Sequence, residues 1–129
     1  MASLVVNTGL ANVTAALAAY ASNARYIGWG TGSGQGVADT DLATAANESR
    51  VEGTASQQTT NTTNDTFRIV GTITAGGTRA ITEVATFDAA GTGNPPSGGN
   101  MAVYGDFSVI NLASGDSIQF SVDVVFDQA

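Results

Sequence analysis

The segment 118–126 alternates without a break: Ile118, Phe120, Val122, Val124 and Phe126 share one parity, and Gln119, Ser121 and Asp123 share the other. Side chains along a strand project to opposite faces in turn, so this pattern fits a strand with one buried and one wet face. A helix, with its 3.6-residue period, would scatter the same apolar residues around its circumference. Gly115 and Asp116, just before the run, read as the turn that launches it. The same period of two recurs at Phe67, Ile69, Gly71 and Ile73, and again at Met101, Val103, Gly105, Phe107 and Val109. Shorter candidate strands lie at 26–31, 49–57 and 81–88. About six strands separated by Gly-, Asn- and Pro-containing connections predict a mainly β protein, an antiparallel β-sandwich of jelly-roll-like type. Two connections, 57–64 and 89–100, look mobile in isolation and are expected at the rim.

The first 24 residues follow a different rule. Leu10, Val13, Leu17, Tyr20 and Ala24 recur at helical spacing, with Asn7 and Thr8 available to cap, which predicts a short N-terminal helix over about 9–23. No charge appears before Arg25, and Asn12, Ala15, Ala18, Ala19 and Ser22 form a second face small enough for close approach. Such a helix docks on its own sheet or on a neighbouring chain. A secretory signal is the competing reading, weakened by the missing basic start and by the polar breaks at Asn12 and Thr14. The chain thus divides into an arm and helix over 1–24 and a β-sandwich domain over 25–129.

Composition then removes whole classes of chemistry. The 129 residues include no Cys, no His and no Lys, so thiol nucleophiles, imidazole bases, zinc–thiolate knots and Schiff-base lysines are all absent. Eleven acids against four arginines give a net charge of −7, which disfavours nucleic acid and anionic membrane surfaces as partners. Charged residues are only 12% of the chain, whereas Gly, Ser, Thr and Asn supply 52 of 129 positions. A polar but weakly charged exterior is inexpensive to desolvate against another protein. No cofactor, metal or catalytic residue is expected.

Four local patterns need separate readings. Gly28, Gly30, Gly32, Gly34 and Gly36 alternate, but their spacing is not that of a dinucleotide-binding turn; a strand to about Thr31 with one bare face, open to close approach by another backbone, is expected. Asp39 and Asp41 could share a cation, yet the remaining ligands of a calcium loop are missing, and a cap on a helical turn over 41–47 is the simpler reading. Glu83 shares its parity with Ile81, Ala85 and Phe87, so plain alternation sends a carboxylate inward. Either it pairs with an arginine, Arg50 before Arg79, or a bulge carries it to solvent. Among the acids, Asp106, Asp116, Asp123 and Glu83 are candidates for a glycosidase pair, but no local pattern selects two of them.

Taken in order, Tyr26-Ile27-Gly28-Trp29-Gly30-Thr31-Gly32, Asp39-Thr40-Asp41-Leu42 with Glu48 and Arg50, Ala80-Ile81-Thr82-Glu83 with Phe87-Asp88-Ala89, Gly99-Asn100-Met101, and Gly115-Asp116-Ser117-Ile118 form five blocks. Together they resemble a family of small virion structural proteins from tailed bacteriophages, over about residues 26–127. The resemblance implies a β-sandwich accessory protein of the particle, either a capsid decoration (cement) protein or a tail-associated one, with no catalytic site to carry over. For a cement protein it implies the major capsid protein as partner, a homotrimer, and the outer surface of the capsid as location. Leu10, Val13, Leu17, Tyr20, Trp29 and Tyr104 are the interface candidates. A carbohydrate-binding sandwich, with Trp29 and Tyr104 as a sugar platform, is the distant alternative.

Overall fold

A computed structural model describes residues 3–19 and 25–126. In chain order the elements are α1 (Asn7–Ala19), β1 (Tyr26–Gly30), β2 (Val51–Glu52), β3 (Thr54–Gln58), β4 (Thr66–Thr74), β5 (Arg79–Phe87), β6 (Met101–Leu112) and β7 (Ser117–Val125). The strands form two antiparallel sheets, ordered β2-β1-β5-β6 and β3-β4-β7. The expected mainly β architecture with one short N-terminal helix is therefore the observed one.

The core lies between the sheets. Ile27, Trp29 and Ile81 from the four-stranded sheet meet Phe67, Ile69, Ile73 and Phe120 from the three-stranded one. Trp29 and Phe120 pack edge to face, 6.3 Å between centroids at 86°, and Phe107 stands 6.3 Å from the same Phe120 ring. Burying an aromatic or branched side chain of this size contributes about 1.5–3 kcal/mol. The alternation of β7 is legible here: Phe120 is buried and Ile118, Val122 and Val124 pack on the core, while Gln119, Ser121 and Asp123 are exposed.

One expected strand is two. The segment 49–57 was expected as a single strand, but Gly53 divides it: Val51 and Glu52 pair with β1, and Thr54 to Gln58 pair with β4 in the other sheet. At Gly53 an added Cβ would lie 2.5 Å from Ile69 Cγ2, so only glycine lets the chain pass between layers at this point. A solitary glycine flanked by alternating residues carries no signal for a change of sheet.

The helix starts earlier than expected, spanning Asn7–Ala19 among the described residues, so Asn7 and Thr8 sit in its first turn and do not cap it. Leu10 and Thr14 are buried beneath it, and Leu17 and Ala18 pack on the core. Thr14 Oγ1 donates to the Asn64 carbonyl (2.6 Å), and Gln57 Nε2 donates to Ala11 O and Thr14 Oγ1 (2.7 Å each). The helix thus docks on its own β3 and β4. Tyr20, Ser22 and Ala24 lie outside the described residues.

Candidate functional site

The outer face of the four-stranded sheet, the side away from the core, is where the chain gathers its polar chemistry. Two features of β1 and β5 create it. The first is a register irregularity between Ile81 and Glu83, opposite β6. Ile81 belongs to the core, whereas Ala85 and Phe87 belong to a separate cluster with Leu42 on the outer face. The second is the bare face of β1. An added Cβ on Gly30 would collide with Thr44 O and Glu83 Oε1, and one on Gly32 would lie 2.6 Å from Ala43 Cβ. The expected close approach of a second backbone is realised: Thr31 N donates to Thr44 O (2.9 Å) and Ala46 N to Trp29 O (3.1 Å).

Glu83 sits under that covering segment with no accessible surface. Its carboxylate accepts hydrogen bonds from three backbone N–H groups, Gly32 (3.2 Å), Ala43 (3.1 Å) and Thr44 (2.8 Å), and from the Tyr104 hydroxyl (2.9 Å). Neither sequence expectation holds in full. The irregularity turns Glu83 off the core side as a bulge would, yet Glu83 stays buried, and its donors are amides and a phenol in place of an arginine. A carboxylate has about four lone-pair directions, and four donors fill them.

Arg50 does not pair with Glu83. Its Nη1 donates to Ala89 O (3.0 Å) and Gly98 O (2.7 Å), tying both ends of the 89–100 connection to the sheet. The guanidinium lies 3.5 Å from the Phe87 ring centroid, and Nη2 stands 3.6 Å from Asp41 Oδ1. Burial lowers the Arg50 pKa, against the pull of Asp41 and Asp88. Gly28 leaves the space for this side chain, since a Cβ there would be 3.2 Å from Arg50 Cγ.

Asp39 and Asp41 turn to separate tasks. Asp39 accepts from Gly36 N (2.7 Å) and Asp41 from Leu42 N (2.8 Å). The expected helical turn over 41–47 does not form. The segment is irregular because its amides are committed to Glu83 and its Ala45 bridges Gly30. Among the described residues no three metal-ligating side chains converge.

The remaining acids are also occupied. Glu48 accepts from Trp29 Nε1 (3.0 Å), Gly76 N (3.0 Å) and Arg79 Nε (3.0 Å). Desolvation works to raise its pKa, but Arg79, the Gly76 amide and the Trp29 indole outweigh it and hold the group below its ordinary value. Asp106 accepts from Gly34 N (3.0 Å) and Asp116 from Ala113 N (2.8 Å), and Asp123 makes a two-pronged pair with Arg68 (2.7 and 2.8 Å). Each acid weighed for a glycosidase pair thus has a local partner.

Sequence reasoning overlooked Asp65. Buried at the start of β4, it accepts from Thr60 N (2.9 Å), Asn61 N (2.9 Å), Thr62 N (2.8 Å) and Thr66 Oγ1 (2.8 Å). Desolvation acts to raise its pKa; the three amides and the hydroxyl overcome it and set the group far below the usual carboxylate range. The signal was there: an aspartate that closes a Thr/Asn run is placed to reach back to the amides three to five residues before it.

The interface candidates separate into two sets. Leu10, Leu17 and Trp29 serve the chain's own packing, and Tyr104 is half-buried on Glu83, so Trp29 and Tyr104 do not form an exposed sugar platform. Val13 is exposed; Tyr20 lies outside the described residues. A depression of about 290 Å³ beside Tyr104, of mixed polar and apolar lining, is bounded by Gln35, Gly36, Val37, Asp39, Met101 and Ala102. Burial, then Glu83 and Asp106, raise the Tyr104 pKa, so this phenol stays protonated at neutral pH. The chain matches no protein-family model, no curated protein and no solved structure.

Proposed function

We propose that this chain is a non-enzymatic capsid decoration (cement) protein of a tailed bacteriophage, a homotrimer that binds the major capsid protein lattice from outside and stabilises the DNA-filled head. The observation that carries the reading is where the apolar surface lies. Among the described residues Leu4, Val5, Val6, Val13, Val37, Val109, Ile110 and Val125 are exposed, on a chain rich in uncharged polar residues. Exposed apolar groups among few charges suit protein–protein contact. The carboxylates point the same way: Glu83, Asp65 and Glu48 have their oxygens engaged by internal donors, which commits them to the chain's own structure. The resemblance of residues 26–127 to small virion proteins supplies the particle. The mechanism is mass action, in which binding energy across capsomer boundaries favours the assembled shell.

Counting copies against the major capsid protein in purified particles tests this. Hundreds of copies per particle fit the shell, whereas a handful would assign the chain to the tail or baseplate. Particles lacking the protein are expected to release DNA at lower temperature. Equal heat tolerance would remove the stabilising role.

A further inference from the structure

Two parts of this molecule are each half of a β-pairing. Residues 3–6 lead into α1 with Leu4, Val5 and Val6 exposed to 74%, 49% and 57%, and apart from Val6 O, which accepts the first helical bond, they make no backbone hydrogen bond among the described residues. At the other end, β6 closes the four-stranded sheet and has no strand beyond it among the described residues. Its start is held by Met101 N donating to Thr40 O, but residues 108–111 are exposed throughout, and Val109 (52%) and Ile110 (39%) are adjacent. Consecutive strand residues point to opposite faces, so this stretch is apolar on both faces as well as open along its edge.

We infer that residues 3–6 of one copy add as a strand to the 108–111 edge of β6 in a second copy. The match is chemical on three counts. Leu4 and Val6 share one face of an extended arm and Val5 takes the other, which gives each of Val109 and Ile110 an apolar neighbour. Neither segment carries a charge, so no ion is desolvated. The edge also lacks the lysines and prolines with which free strands usually prevent such pairing. Size selects exchange between copies over a single graft. One four-residue arm on one edge falls below the ~1,000 Å² a stable interface needs, whereas reciprocal exchange places two such contacts in one interface, and a closed ring of three holds each copy through two. This inference does not depend on the virion reading.

The chain has no cysteine, which allows a direct test. Val5→Cys protein is mixed with Val109→Cys protein and, separately, with Ile110→Cys protein, oxidised, and run on a non-reducing gel. Directly opposed strand residues lie within disulfide reach, so one of the two mixtures is expected to give a crosslinked dimer far in excess of either variant alone. Absence of that band in both mixtures overturns the inference. So does a chain carrying both cysteines of a pair that closes on itself as a monomer at high dilution. In sedimentation, the native chain is expected to associate, and Leu4→Asp with Val5→Asp to raise the dissociation constant at least roughly tenfold. A native chain that stays monomeric, including one whose arm instead takes it onto phosphatidylcholine vesicles, also overturns it.

Discussion

The two sides of this sandwich are finished by different means. On one, β2 runs through Gly53 into β3, so two edges are joined by continuous chain, and α1 lies against β3 and β4. The outer face next to it is closed by irregular segments held on buried carboxylates and one buried arginine. On the other side, β6 and β7 end their sheets as strands of twelve and nine residues with no further strand paired to them among the described residues, and the 34–40 segment reaches only the first half of β6. The closed side commits its buried polar groups to folding, whereas the edge strands carry the exposed Val109, Ile110 and Val125, of which the first two would serve the association inferred above. Substitutions on the two sides should therefore act on different observables.

Removing Glu83 should have the largest effect. Glu83→Ala strands three buried amides and a phenol, and we expect a loss of about 3–5 kcal/mol in chemical denaturation. A change under ~1 kcal/mol would show that the covering segment does not rely on the carboxylate. Arg50→Met keeps the length of the side chain but frees two carbonyls and the Phe87 face, with an expected loss of about 2–3 kcal/mol. The matched change on the open side, Val109→Ser, should cost no more than ~0.5 kcal/mol. Equal costs on the two sides would abolish the contrast.

Acid should act with one sign on the engaged carboxylates of both sides. Asp65, Glu48, Asp88 and Asp123 all have folded-state pKa values below their ordinary ones. Their contribution is therefore complete above the unfolded carboxylate range and is lost as pH falls toward the folded values. Melting temperature should hold steady above about pH 5 and drop below about pH 4. The gap between native protein and Asp65→Asn should narrow over that same fall; a constant gap from pH 7 to pH 3 would contradict the account. Tyr104 works in the opposite direction, since its pKa is raised: its contribution holds below about pH 10 and fades above it. The smallest effect belongs to the exposed Arg68–Asp123 pair, where Arg68→Ala should barely move the melting temperature and less still in high salt.

The strands were legible in the sequence because a half-buried strand writes its two faces into alternate residues, as 118–126 and 67–73 do. The bare face of β1 was legible too, since glycines at every second position leave room for a backbone that Thr44 and Ala46 then supply. What could not be read were contacts whose donors are main-chain amides distant in sequence. Ala43 and Thr44 hold Glu83 through groups every residue possesses, so no residue type at 43 or 44 announces them. An arginine was the visible partner for Glu83, and it was the wrong one. The sheet change at Gly53 was hidden for a similar reason, because its cause is the missing Cβ facing Ile69.

Residue-resolved amide hydrogen exchange on the dilute protein addresses the contrast most directly. Gly32, Ala43 and Thr44 lie in irregular chain, yet if buried carboxylate bonds close this face, their amides should exchange as slowly as those of the central strands. The β6 edge at 108–111 should exchange fastest of any strand segment. Fast exchange at Gly32, Ala43 and Thr44, matching that of exposed loop amides, would contradict the account.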